Sequence, residues 1–192
     1  ACTSQTFPSN VVVFIGGLGD RLLAVDYLNP LAAALGASGW GLVEVALSSG
    51  GTSFGYSGGL EQDVREIRSL LDTLGTLGVD SAVLLGHSTG CQDIVALLTP
   101  PPPSTGGTGG GASPRSAARV AGAILQAPVS DREYATSLTL SPDYAPRVPG
   151  ILRTARAMIE GGRGDECLPR AATEEGHPMT ADRYFSLHAA GG

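Results

Sequence analysis

Apolar and polar positions along the chain alternate between two kinds of run. Val11-Val12-Val13-Phe14-Ile15 is a continuous β-branched and aromatic stretch, as expected of a parallel strand buried on both faces. Gly16-Gly17-Leu18-Gly19-Asp20 follows it as a loop. Leu22, Leu23, Val25, Leu28, Leu31 and Leu35 then recur at helical spacing, so a helix is predicted there, interrupted or restarted at Asn29-Pro30. Gly39-Trp40-Gly41 closes that segment, and Leu42 to Leu47 is a second strand candidate. Ser48 to Gly59 reads as a glycine-rich loop. Val64, Ile67, Leu70, Leu71 and Leu74 mark one face of a helix over 60–77.

A third strand, Ser81 to Leu85, leads into Gly86-His87-Ser88-Thr89-Gly90 and then a helical pattern carried by Ile94, Leu97 and Leu98. Thr99 to Ser116 is a Pro/Gly low-complexity run, so a disordered insertion is expected at about 99–118. Arg119 to Pro128 restores the pattern as a fourth strand. Beyond it the chain reads as helical, with apolar faces over 146–161 and 181–190 and no further strand. Strands alternating with helices predict a parallel sheet, whose ligand crevice lies at the carboxyl ends of the strands.

That crevice is where the candidate chemistry falls. Strand, Gly-x-Ser-x-Gly and helix together form the layout of a nucleophile elbow, which holds a serine on a sharp turn above the sheet. With 28 glycines in the chain, chance alone gives on the order of 0.4 such matches, so context has to select among them. Three are present. Those around Ser53 and Ser57 sit in a loop, whereas Ser88 has a strand before it and a helix after it. Gly86 and Gly90 would remove Cβ atoms that clash in such a turn, and the helix start would aim free N–H groups at a developing oxyanion. The Thr89 N–H is one expected donor. The same strand–glycine–helix turn also occurs in α/β sheets with no catalytic role.

Composition narrows the function further. The 192 residues, 42% hydrophobic and 16% charged, suit one globular domain. A net charge of −6 argues against a nucleic-acid partner. No apolar run approaches the ~20 residues that span a bilayer, and the first residues lack the pattern of a signal peptide. Cys2, Cys91 and Cys167 offer neither metal spacing nor a disulfide framework, so no metal and no cofactor are expected. The same pattern fits an intracellular, cytoplasmic setting. Cys91 reads as a small buried apolar residue, with a reactive thiol at the helix start as the other reading. The chain has no lysine, which excludes Schiff-base chemistry.

Three blocks stand in order: Phe14-Ile15-Gly16-Gly17-Leu18-Gly19-Asp20, Gly86 to Asp93, and Ile124-Leu125-Gln126-Ala127-Pro128-Val129-Ser130-Asp131-Arg132-Glu133. They resemble an α/β-hydrolase family of fungi and plants, long labelled a domain of unknown function, which also takes in fungal siderophore esterases. The resemblance covers nearly the whole chain except the low-complexity insertion. It implies an α/β-hydrolase fold, Ser88 as nucleophile, and Gly16-Gly17-Leu18 as the loop that gives a second oxyanion donor, the Leu18 N–H. Pro178 to Leu187 resembles part of the family's cap, so 132–190 is expected to be cap-like within one hydrolase-like domain. In the family, strands carrying the acid and the catalytic histidine come after this segment. The chain is therefore expected to present an incomplete fold that lacks the last strands.

A hydrolase of this type needs a base beside its serine and a group that orients the base. Of three histidines, His87 should point away from the elbow in a structural role, and His177 and His188 read as surface residues. Asp131, just beyond the fourth strand, is the acid candidate, against a role in capping the helix that starts near Arg132. Asp20 either lines the crevice or fixes the glycine loop, and Asp93 suits the helix dipole. The expected function is a serine esterase acting on a small ester, weak or inactive where the base is lacking. The alternative is a non-catalytic hydrolase-fold binding protein. A Rossmann-type nucleotide site is disfavoured because Leu22 stands where the third glycine of the fingerprint belongs.

Overall fold

The computed structural model describes residues 7–51, 55, 59–99, 117–173 and 178–189. Contacts divide the chain into two compact units, one from Ala1–Leu47 and Leu60–Pro128, the other from Ser48–Gly59 and Val129–Gly192. Residues 100–116 of the expected insertion, and Ser53 and Ser57 of the two other serine turns, lie outside the described residues.

The first unit is a four-stranded sheet in the order β2-β1-β3-β4, with every pair parallel. Its strands are β1 (Asn10–Ile15), β2 (Gly41–Val45), β3 (Ser81–His87) and β4 (Arg119–Gln126), and its helices are α1 (Leu28–Ala37), α2 (Leu60–Thr76) and α3 (Gly90–Leu98). The continuous apolar run of β1 is explained by burial on both sides. Val11, Val13 and Ile15 join Ala82 and Leu84 of β3 in a core with Ile67, Leu71 and Leu74 of α2 and Ile94 of α3. Val12 and Phe14 face the other way and pack with Leu28 and Leu85, backed by Leu31 and Leu35 of α1. Alternate side chains thus serve two cores, the arrangement expected of a parallel strand covered by helices on both faces.

β4 differs. It hydrogen-bonds only to β3 among the described strands, with a register shift at Ala82/Val83, and Ile124 and Leu125 are exposed.

The helix predicted from Leu22 begins only at Leu28. Leu22 and Leu23 are exposed and Leu23 has φ 66°, so the apolar spacing there is coincidental. Pro30 sits in the first turn of α1, where its missing N–H has no partner to lose.

The second unit is helical: α4 (Asp131–Leu138), α5 (Val148–Glu160) and α6 (Ala181–His188), with an isolated bridge between Cys167 and Thr180. Its core joins Tyr144, Val148, Ile151, Ala155, Met158, Leu168, Ala181 and Tyr184. The Tyr144 and Tyr184 hydroxyls meet at 3.1 Å, and burial raises the Tyr184 phenol above its ordinary range. No helix among the described residues is long and apolar enough to cross a membrane.

Ile67 is fully buried, so Ile67→Ala should lose about 2–5 kcal/mol of stability. Leu140→Ala, at a residue 81% exposed, should stay within about 0.5 kcal/mol. Urea unfolding of both variants checks the contrast.

Candidate active site

Ser88 follows β3 directly and has φ 54°, a left-handed conformation that a non-glycine residue adopts only when its surroundings impose it. The imposing contacts are visible on each side. Its N–H donates to the Gln126 carbonyl at 3.0 Å, extending the β3–β4 ladder by one rung, and its carbonyl accepts the Cys91 N–H at 3.1 Å as the chain turns into α3. A Cβ on Gly90 would lie 2.4 Å from the Ile15 carbonyl oxygen and 2.5 Å from that of Gly16. A Cβ on Gly86 would lie 2.8 Å from the Gly90 carbonyl oxygen. The strand can therefore turn into a helix against β1 only where both positions carry no side chain.

The glycine loop after β1 reaches the same point, because β1 and β3 are neighbours and Ile15 is in register with Gly86. A Cβ on Gly17 would stand 2.8 Å from Ser88 Cβ and 3.4 Å from Ser88 Oγ, so the loop backbone passes directly beside the hydroxyl. The loop is held in shape by Asp20, whose N–H donates to the Gly17 carbonyl at 3.0 Å and whose Oδ2 accepts the Gly17 N–H at 2.7 Å. Of the two readings of Asp20, this is the loop-fixing one.

The two backbone donors expected from the sequence are the N–H groups of Thr89 and Leu18. Thr89 precedes α3 without a side-chain cap hydrogen bond, while the Cys91 and Gln92 N–H groups donate to the Ser88 and Thr89 carbonyls. Among the described residues, neither the Thr89 N–H nor the Leu18 N–H is taken up by a backbone hydrogen bond. Asp93 is buried in the first turn of α3, a position the helix dipole favours for a carboxylate.

The remaining candidates take other places. His87 turns its Nδ1 toward Asp20 at 3.5 Å. His188 is not frayed surface: it ends α6, its ring stacks on Tyr184 at 4.1 Å, and its Nδ1 lies 3.1 Å from the Tyr184 carbonyl oxygen. His177 lies outside the described residues. Asp131 is the first residue of α4, but the cap is Ser130, whose side chain accepts the Glu133 N–H. Among the described residues no side chain hydrogen-bonds the Ser88 hydroxyl, and no group of His, Cys, Asp or Glu is arranged to hold a metal ion.

Cys91 is buried with its Sγ 3.2 Å from the Gly86 carbonyl oxygen and 3.4 Å from that of Gln126. Burial pushes its thiol above the ordinary range and the Asp93 carboxylate adds to the rise, so it acts as packing under the elbow.

Sequence reading left out Tyr27 and the role of Gln126. The Tyr27 hydroxyl donates to Gln126 Oε1, and its phenol is raised chiefly by burial. Gln126 thus ties α1's approach to the strand end that holds the Ser88 N–H. No local signal announces them, and the residue type of Ala127, next to Gln126, does not foretell its φ of 48°.

Comparison with known proteins gives this arrangement a context. A family model described as "Protein of unknown function (DUF1749)" matches residues 1–192. The fusarinine C esterase sidJ of Aspergillus fumigatus is 33% identical over 210 aligned positions, which cover 96% of this chain and 59% of that protein. Among solved structures, the siderophore hydrolase EstB from Aspergillus fumigatus superposes with a TM-score of 0.67 at 29% identity, over 98% of this chain and 59% of that one. An α/β-hydrolase-fold protein of unknown function superposes with a TM-score of 0.53 at 23% identity, over 96% and 54%. The fold is that of the α/β hydrolases, and the chain spans under three-fifths of the length of these relatives.

Because the Gly90 contact is backbone on backbone, Gly90→Ala should destabilise the protein by about 1–3 kcal/mol. Gly122→Ala, which meets nothing within 4 Å, should stay within about 0.5 kcal/mol. Thermal unfolding of the two variants checks the difference. In the folded protein at mildly alkaline pH, iodoacetamide should modify exposed Cys167 well before Cys91, as peptide mapping would show.

Proposed function

We propose, for a chain that belongs to the DUF1749 family, that Ser88 is the nucleophile of a carboxylic-ester hydrolase acting on small-molecule esters. The observation that carries this reading is the positive φ of Ser88, imposed on a serine whose hydroxyl stands against the Gly17 backbone. Left-handed strain of about 1–3 kcal/mol at a non-glycine residue persists where function requires the geometry. The esterase named for the fusarinine C relative and the siderophore hydrolase named for the solved structure support the ester class, and siderophore-like esters are the first substrates to try.

In the reaction, Ser88 Oγ attacks the ester carbonyl carbon and its proton passes to a base. The carbonyl π electrons move to oxygen, and in this reading the Leu18 and Thr89 N–H groups stabilise that oxyanion. Collapse breaks the ester C–O bond and releases the alcohol with a proton. Water then cleaves the acyl-serine to give the carboxylic acid and free Ser88. Asp131 is the carboxylate candidate for orienting the base. We assign substrate choice to the helical unit from Val129 onward, which includes the segment that resembles the family's cap.

A fluorophosphonate probe tests the nucleophile without requiring turnover. The wild-type protein should be labelled and Ser88→Ala should not. Equal labelling of the two would refute the assignment. Whatever hydrolysis of a model ester the wild-type chain shows above background should be lost in the same variant.

A further inference from the structure

We propose that Asp20 is a positioning residue that sets the orientation of the Leu18 N–H toward Ser88, an inference that rests on Ser88 being the nucleophile. The argument follows from peptide planarity. The Gly17 carbonyl and the Leu18 N–H belong to one peptide group and point in opposite directions. Asp20 holds the carbonyl end of that group through its own N–H at 3.0 Å. Its Oδ2 holds the preceding N–H, that of Gly17, at 2.7 Å. One residue therefore restrains both sides of Gly17, and the Leu18 N–H is directed away from Asp20 as a result.

The restraint has work to do, because the loop carries Gly16, Gly17 and Gly19, and Gly19 takes φ 82°. Glycine crosses between left- and right-handed conformations readily, so an unrestrained loop of this composition would sample peptide orientations that turn the donor away. The fit around Asp20 is close as well. A Cβ on Gly16 would lie 2.9 Å from Asp20 Cβ and 3.2 Å from Oδ2, so the carboxylate is seated on the loop backbone itself.

The same carboxylate faces the elbow. Asp20 Oδ2 lies 3.5 Å from Nδ1 of His87, the residue immediately before Ser88. His87 Nδ1 is buried and has no hydrogen-bond partner among the described residues. Both side chains are about one-third exposed or less, at 33% for His87 and 28% for Asp20. Asp20 is thus the point at which the loop after β1 and the strand before the elbow address a common group.

The test pairs Asp20→Ala with Asp20→Asn and reads two quantities, amide hydrogen exchange at Gly17 and Leu18 and the rate of fluorophosphonate reaction at Ser88. In Asp20→Ala, Gly17 should exchange at least about 10-fold faster while the amides of β1 and β3 keep their protection. Labelling of Ser88 should slow by about 10–100-fold, a share of what removing an oxyanion donor outright costs. Asp20→Asn keeps an oxygen that accepts the Gly17 N–H, so both quantities should return to within about threefold of wild type. Unchanged Gly17 exchange in Asp20→Ala overturns the inference. So does altered exchange with an unchanged labelling rate, which would leave Asp20 a structural loop residue only. A wild-type protein that does not react at Ser88 refutes the nucleophile and with it the positioning role, while the exchange readout still reports separately whether Asp20 restrains the loop.

Discussion

Everything at the site depends on how closely α3 can start against the end of β1. The space beside Gly90 would place a methyl group 2.4 Å from the Ile15 carbonyl oxygen, well inside any van der Waals contact. That approach lets β3 turn into a helix above the sheet's edge of carbonyls, and it forces Ser88 into the left-handed region. The glycine loop after β1 lies beside the same turn because its strand is the neighbour of β3. Sheet order, loop chemistry and helix polarity therefore meet at one serine, each for a reason visible in the backbone.

Packing behind the site supports it from several sides. β1 is covered on both faces, with Val11, Val13 and Ile15 in one core and Val12 and Phe14 in the other. A strand gripped from both sides gives the loop that follows it a fixed origin. The elbow has a comparable foundation in Cys91, packed beneath the turn against the Gly86 and Gln126 carbonyls. Gln126 adds a third support through the Ser88 N–H and through its own side chain, which receives the Tyr27 hydroxyl.

The parts of this arrangement that were legible in the sequence are those in which one local signal decides the outcome. A run such as Val11 to Ile15 admits few readings, and strand context separated Ser88 from Ser53 and Ser57. Where two local signals competed, tertiary placement settled the matter. Leu22 and Leu23 have helical spacing, yet they lie in an exposed turn, and α1 starts five residues after Leu23 at Leu28. Asp131 is fit by residue type to cap α4, yet the backbone gives the cap to Ser130. His188 looked terminal by position but stacks on Tyr184, a contact between residues four apart that only the formed helix creates. The roles of Tyr27 and Gln126 were out of reach, since they rest on a hydrogen bond across 99 positions of sequence.

The left-handed φ of Ser88 also bears on how the protein can change over time. At that position glycine would relieve strain of about 1–3 kcal/mol, so the residue assigned the chemistry is the one whose loss the fold would welcome. Selection for stability alone would erode it, and only selection for activity would retain it. A relative that keeps Gly86 and Gly90 but has glycine between His87 and Thr89 would be a sturdier protein without the proposed nucleophile.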